Sequence, residues 1–571
     1  MARETGTTRP LCWVGRLPCT LRPLSNRRLC FSGFLASLLL IIPGAGWPPA
    51  RAAEELVVRF DGLSVPLDLA ELEAWSEDPH RQNGHLSVWL HLLDPLARQG
   101  LVRLLKAPLL QDRSFGMELL QSWTGTQMLQ EVGRLLRGPD ERSMAPLLRE
   151  TLQELFTQQS TVSTLQLLRA LPAERLTLRV DALLALAEHW RDQLNYHSHS
   201  IAKLRSLSLP QRQSRPLRTT TQLSTPQRPK RLMLPVAHRS APLPVEIWPA
   251  AAATRQATWV LLMPGLGGSS SHLHWLAAAL AERGWPVVLL EHPGSDEEAV
   301  RASLAGEAPP PGAESLPLRL ADVQAVLVAR SQGQFPAMGA DPASDQGIVL
   351  IGHSLGGLAA LMAAGMVPEV GLSQRCHQAL TSLPLTNLSR LLQCQLTAVT
   401  GDGADPHRAA MVPRPDQTPL RGVVTYNGFG SLLWPERGLA DLPLPVLMVG
   451  GTLDLITPPV QEQLALLASS HHPRSRLVLV DGGSHFSPVR MQPEGEALFQ
   501  LGEDLVGANP QLVQGLLLQI TLEFLEASRH PTLLSPQRRQ HGEVEAYVLD
   551  PQRAQVLQRS LPPAPVSPRS S

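Results

Sequence analysis

The stretch Ile348-Val349-Leu350-Ile351-Gly352-His353-Ser354-Leu355-Gly356-Gly357-Leu358-Ala359-Ala360-Leu361 reads as three elements in succession. The opening residues are apolar and largely β-branched, the composition of a buried strand. The closing ones are small or unbranched helix formers. Between them Ser354 stands in a Gly-x-Ser-x-Gly frame, and such a turn between strand and helix is a nucleophile elbow. The elbow holds its serine in a strained backbone geometry that neighbours without a Cβ relieve. The hydroxyl then stands at the carboxyl edge of a sheet, with a helix N-terminus behind it to stabilise developing negative charge. The five-residue motif alone is common. The strand before it and the helix after it point to an activated serine.

An activated serine needs a base, and the base needs an orienting acid. Further along, the apolar run 446–449 leads into Gly450-Gly451-Thr452-Leu453-Asp454, and the run 477–480 leads into Asp481-Gly482-Gly483-Ser484-His485. Loops after consecutive strands thus offer Asp454 as acid and His485 as base. The order serine, acid, histidine is that of the α/β-hydrolase arrangement. Asp481 competes as acid but lies just before the histidine and reads as a turn former. Asp402 and Asp405 fall in an insertion. His471 and His472 precede their strand, at the wrong edge of the sheet, His292 reads as a loop residue, and His353 lies inside the elbow. The tetrahedral intermediate needs backbone N–H donors: Leu355 after the nucleophile, and Leu266 within Pro264-Gly265-Leu266-Gly267-Gly268. This chemistry requires no metal and no organic cofactor.

Across residues 232–528, apolar runs at 245–248, 259–263, 286–290, 348–351, 423–426, 446–449 and 477–480 alternate with helical stretches such as 274–282 and 460–468. The alternation predicts an α/β fold, a mostly parallel sheet with helices on both faces. Residues 369–417 break the rhythm and are read as a lid over the carboxyl edge of the sheet. Residues 53–209 form a mostly α-helical domain. Two short runs, 56–60 and 63–67, flank Asp61-Gly62 and can pair. Leucines then recur at helical spacing, as in Leu147, Leu148, Leu152, Leu155 and Phe156, and in Leu165, Leu168 and Leu171 until Pro172 stops the run. Residues 210–231 read as a mobile basic linker, with peripheral contact to an anionic membrane surface as the alternative. Residues 529–571, rich in proline and arginine, read as a disordered tail.

A chain of 571 residues exceeds one ordinary domain. Its 50 basic and 50 acidic residues balance, which argues against nucleic acid as a partner. Residues 1–52 read as an export signal: arginines, then the apolar run 29–42, then Ala50-Arg51-Ala52 as a cleavage site. An uncleaved membrane anchor is the alternative. Cys12, Cys19 and Cys30 would leave with the signal, so Cys376 and Cys394 remain. One disulfide between them is worth ~3 kcal/mol in the chain-entropy model. Two separate buried thiols are the other reading, and the export signal favours the bridge.

The run Leu261-Leu262-Met263-Pro264-Gly265-Leu266-Gly267-Gly268, then Glu291-His292-Pro293-Gly294, then Gly352-His353-Ser354-Leu355-Gly356-Gly357 resembles the platelet-activating-factor acetylhydrolase and predicted dienelactone hydrolase group. Asp454 and Gly482-Gly483-Ser484-His485-Phe486 match that group's acid and histidine motifs. Pro264 departs from it, since relatives often carry histidine there. Residues 53–209 resemble the helical domain of unknown function that precedes such hydrolases in cyanobacterial proteins. The resemblance implies carboxylic-ester hydrolysis, of lipid-like or short-acyl esters, in the periplasm or thylakoid lumen, with an activity like that of platelet-activating-factor esterases. Ser354 argues against dienelactone chemistry itself, which employs cysteine. A peptidase, thioesterase or acyltransferase on the same triad remains open, as does a binding protein on a hydrolase fold. The expected partner is a small-molecule or lipid ester, and the oligomeric state is left open.

Overall fold

All seven apolar runs of the second half become strands, and most of them lie side by side. The structure is a computed structural model that describes residues 52–565 apart from 80–85, 87–89, 91–92, 111, 215–227, 251–254, 339–344, 401–418, 492–506, 508 and 528–532. The expected signal segment, save its last residue, lies outside the described residues.

The N-terminal region holds a four-stranded sheet of β1 (Glu55–Phe60), β2 (Leu63–Asp68), β3 (Leu136–Arg137) and β4 (Arg175–Arg179), in the order β2-β1-β4-β3. β1 and β2 pair antiparallel across Asp61 and Gly62, both at positive φ. Helices fill the rest. Helix Ala145–Gln158 buries Leu148, Leu152 and Phe156, and helix Thr164–Ala170 buries Leu165 and Leu168, together with the sheet residues Leu56 and Leu176. Helix Val180–Arg205 then carries the chain out of this layer.

The large sheet comprises β5 (Gln211–Gln213), β6 (Lys230–Leu234), β7 (Leu243–Trp248), β8 (Thr258–Met263), β9 (Val287–Leu290), β10 (Gly347–His353), β11 (Leu420–Tyr426), β12 (Val446–Gly451), β13 (Arg476–Val480), β14 (Gln537–His541) and β15 (Val544–Leu549). Their order is β5-β14-β15-β13-β12-β11-β10-β8-β9-β7-β6. The stretch from β9 through β8, β10, β11 and β12 to β13 is parallel throughout. Strands covered on both faces read as continuous apolar runs, and here β8, β9, β10, β12 and β13 are buried at every residue. One core lies on each face of the sheet.

Two expectations fail. The supposed tail contains the hairpin β14–β15, turned at Gly542 with φ 60°, and helix Pro551–Ser560. Pro551 opens that helix, at a position where its missing N–H costs nothing. β14 escapes notice because its sequence, Gln-Arg-Arg-Gln-His, is polar. Its buried Arg539 pairs with Glu523 at 2.6 Å. The supposed mobile linker is also structured at both ends: β5 pairs with β14, β6 pairs with β7, and residues 215–227 lie outside the described residues. The expected lid holds helices Leu372–Leu380 and Ser389–Thr400, and its end from 401 onward, with Asp402 and Asp405, is outside the described residues. Cys376 and Cys394 form a disulfide joining those two helices, with Cα atoms 5.4 Å apart. Trp123 of the N-terminal region packs against it, and Gln395 donates to Thr124 Oγ1 at 2.9 Å.

Candidate active site

Ser354 follows the last residue of β10 and precedes helix Leu355–Ala363, with φ 51° and ψ −118°. No regular element tolerates that geometry, and the flanking glycines show why it is affordable. A Cβ on Gly352 would lie 2.1 Å from Gly356 O, and one on Gly356 would lie 2.5 Å from Met263 O and Pro264 O. The Ser354 N–H donates to Tyr426 O at 2.8 Å, which fastens the turn to β11.

Asp454 is fully buried in the loop after β12. Its Oδ1 accepts the Ile456 and Thr457 N–H groups at 2.9 and 2.8 Å, and its Oδ2 accepts the Thr457 hydroxyl at 2.6 Å. Oδ2 also lies 2.9 Å from His485 Nδ1. The carboxylate is an acceptor there, so Nδ1 carries the proton and Nε2 is left as the acceptor nitrogen. Behind the histidine, Asn427 Nδ2 donates to Ser484 O and His485 O at 3.0 and 2.8 Å. His353 Nε2 donates to the same His485 O at 2.9 Å. Burial, with His485 nearby, pushes His353 down to about 3, so it serves as a neutral donor. Ser354 and His485 line one cavity, together with Leu266 and His353.

Residues 260–497 match the alpha/beta hydrolase family. This part of the chain has the α/β-hydrolase fold. Residues 52–179 match a second family, described as an alpha/beta hydrolase of unknown function (DUF1400). No curated protein matches the chain.

The hydrolase domain keeps its glycine loop, Pro264 to Gly268, against the elbow. A Cβ on Gly265 would meet His353 Nδ1 at 2.9 Å, and Gly267 has φ 68°. Arg319, fully buried on helix Leu316–Ser331, donates to Pro264 O at 2.8 Å, Gly265 O at 3.0 Å and Ser295 Oγ at 2.9 Å. Ser295 O in turn accepts the Gly267 N–H at 2.9 Å. The loop's carbonyls are therefore tied away from the cavity. Leu355 opens its helix, where N–H groups have no intrahelical acceptor. Burial pulls Arg319 down to about 9, only partly offset by Asp322.

Asp322, a turn further along the same helix, is fully buried too. It accepts two bonds from Arg239 at 2.6 Å, one from His238 at 2.7 Å and one from His292 Nδ1 at 2.8 Å. Burial alone would raise its pKa; the Arg239, His292 and His238 hydrogen bonds outweigh burial and hold it below the usual carboxylate range. His292 goes the other way, pushed by burial and by the Arg319 charge down to about 4. His292 is thus part of a buried knot rather than a plain loop residue. A charged pair spaced i, i+3 on a helix whose buried residues between 316 and 327 are otherwise Leu316, Leu320, Val323, Val326 and Leu327 was the available signal for this knot.

The cavity has a volume of about 180 Å³ and an apolar wall of Leu266, Leu392, Ile456, Phe486, Val489 and Met491. Leu392 comes from the cap helix Ser389–Thr400. Asp481 does not approach His485; it receives Arg205 and Thr452 instead. His471 and His472 lie ahead of β13, at the opposite edge. Among the described residues, no group of three or more His, Cys, Asp or Glu is placed to hold a metal ion, and no helix is long and apolar enough to cross a membrane.

Proposed function

We propose that the protein is a serine hydrolase of carboxylic esters, with Ser354 as nucleophile, His485 as general base and Asp454 as orienting acid. The observation that carries this reading is His485: its Nδ1 is bonded to Asp454 while its ring lines the same cavity as the strained Ser354. His485 Nε2 takes the Ser354 proton as Oγ attacks the ester carbonyl. Asp454 holds the imidazole and stabilises its charged form. The Leu355 and Leu266 N–H groups receive the oxyanion. His485 returns the proton to the leaving alcohol, then activates the water that cleaves the acyl-enzyme.

The apolar wall favours an acyl chain over a peptide, and a cavity of this size favours a short one. That is in keeping with the resemblance to platelet-activating-factor acetylhydrolases. The basic-then-apolar start of the chain supports export to the periplasm or thylakoid lumen, and the Cys376–Cys394 bridge fits an oxidising compartment. The test is hydrolysis of p-nitrophenyl esters from acetate to palmitate, with Ser354→Ala as the blank. Turnover that depends on Ser354 and peaks at short chains is expected. Equal rates in protein and blank would overturn the reading. The mature N-terminus of secreted protein, read by mass spectrometry, tests export.

A further inference from the structure

Helix Val180–Arg205 is 26 residues long, about 39 Å at the usual rise, and it begins directly after β4 of the N-terminal sheet. One of its faces turns toward the hydrolase domain. Trp190, Gln193, His197, Ile201 and Leu204 follow each other at helical spacing along it, and Ile201 and Leu204 enter the core of the large sheet. The polar members of that stripe reach three different places: the turn between the cap helices, helix Val460–Leu464 and the loop after β12.

The Trp190 indole N–H is shared between Ser382 O at 3.0 Å and Leu383 O at 2.9 Å, in the turn between the two cap helices. Gln193 accepts from Gln461 at 2.7 Å, and Gln461 accepts from Asn387 of the cap at 3.0 Å. His197 Nε2 donates to Thr452 O at 2.8 Å, beside Asp454. Arg205, at the end of the helix, makes a two-pronged bond to Asp481, at 2.9 and 2.7 Å, in the loop that carries His485.

The two catalytic loops are also stitched to each other at the point where Arg205 arrives. Thr452 Oγ1 donates to Asp481 Oδ1 at 3.1 Å and accepts the Gly482 N–H at 2.9 Å. The Leu453 N–H donates to Gly483 O at 2.8 Å. A Cβ on Gly451 would fall 2.2 Å from Gly483 O, so the loops are in direct contact. Asp481 is the junction: it takes Arg205 from one domain and Thr452 from the acid loop, and its own backbone leads to His485.

We propose that helix Val180–Arg205 is a strap through which the N-terminal domain sets the spacing of the Asp454 and His485 loops, with Arg205 as the positioning residue, and holds the cap through Trp190. The proposal rests on the ester-hydrolase reading for its kinetic consequence but not for its mechanical one. Arg205 touches no substrate. Its guanidinium fixes the Asp481 carboxylate, Asp481 fixes the loop, and the loop fixes the imidazole against Asp454. A misplacement of about an ångström at such a group is enough to lower turnover without lowering substrate affinity. Trp190 acts on the cap, whose Leu392 forms part of the acyl wall, so its loss falls on substrate binding.

The test uses the full chain carrying Arg205→Ala, Arg205→Lys, Asp481→Asn or Trp190→Phe, with p-nitrophenyl butyrate as substrate. Hydrogen exchange at residues 452–457 and 481–487 is followed in parallel, at a temperature where every variant is folded. Arg205→Ala is expected to lower kcat about tenfold at nearly unchanged KM. It should also move the acid limb of the kcat profile and speed exchange in both loops. Arg205→Lys, which keeps the charge but not the fork, should recover part of the loss. Asp481→Asn should repeat the Arg205→Ala pattern, and Trp190→Phe should raise KM at retained kcat. Lowered melting temperature with unchanged kcat, pH profile and loop exchange would reduce the helix to a docking element and overturn the proposal. Faster exchange without any kinetic change in an active enzyme would overturn it as well. A parent protein without Ser354-dependent turnover, whose two loops nonetheless loosen in Arg205→Ala, would refute the esterase reading while upholding the strap.

Discussion

The two sides of the site are held by opposite means. On the side of the nucleophile and the glycine loop, the supports are charges taken out of water, Arg319 and Asp322, with the neutral His292 bonded to Asp322; each is 0% exposed. On the side of Asp454 and His485, the supports are neutral hydrogen bonds within the loops, closed from outside by Arg205, whose side chain is 55% exposed. A buried ionic group leaves uncompensated partners when one member is deleted, whereas a solvated one is replaced by water at little cost. The nucleophile side is therefore rigid and intolerant. The acid–base side is adjustable, and a second domain does the adjusting.

The comparison is open to attack at four points. Asp454→Asn keeps the shape of the acid loop but presents the wrong donor to His485. A loss of about 10⁴ in kcat is expected, read by steady-state kinetics. A loss within tenfold would move the acid elsewhere on that side. Arg319→Met withdraws the buried guanidinium from the carbonyls of Pro264, Gly265 and Ser295. It should cost about 3–5 kcal/mol of stability in urea unfolding and about a hundredfold in kcat. Should it prove as mild as an exposed-charge deletion, the contrast between the two sides collapses. Cys376→Ser removes the cap disulfide, at about 3 kcal/mol in thermal unfolding, with kcat retained. Loss of kcat in step with stability would make the cap part of the chemistry rather than its cover.

The fourth point is pH dependence. Burial pushes His292 and His353 down to about 4 and about 3 in the folded protein, against 6.5 for a free imidazole. Below 6.5 the unfolded chain takes up protons that the native fold refuses, so stability is full above that pH and drains away as pH falls toward 4. The slope is up to about 1.4 kcal/mol per pH unit for each histidine. His292→Asn, which keeps a donor for Asp322, should flatten the melting temperature over this window. An unchanged curve would take His292 out of the intolerant side.

Chain order made much of this legible. A glycine-framed serine after an apolar run, then acid and histidine after later runs, placed Ser354, Asp454 and His485 where the fold brings them together. The central strands were equally plain, because a strand buried on both faces is apolar throughout. β14 was hidden because four of its five residues are long polar side chains, Arg538 and Arg539 being paired with Glu545 and Glu523. The Arg319 knot was hidden for a related reason: its acceptors at Pro264 and Ser295 lie 55 and 24 residues away in sequence. The stripe on helix Val180–Arg205 mixes tryptophan, glutamine, histidine and aliphatic residues, so hydrophobic periodicity does not mark it. The domain boundary near 209 concealed the rest, since a reading that closes one domain there does not look for its contacts in the next.

Residues Arg205 and Asp481 are separated by 276 positions along the chain, and His197 and Thr452 by 255. A ribosome adding about 5–20 residues per second therefore releases the helix tens of seconds before the loops it binds. During that interval its hydrolase-facing stripe has no counterpart. β5, which follows it, waits longer still, because its neighbour β14 is made near the end of synthesis. These long-range contacts can close only once the C-terminal strands have emerged.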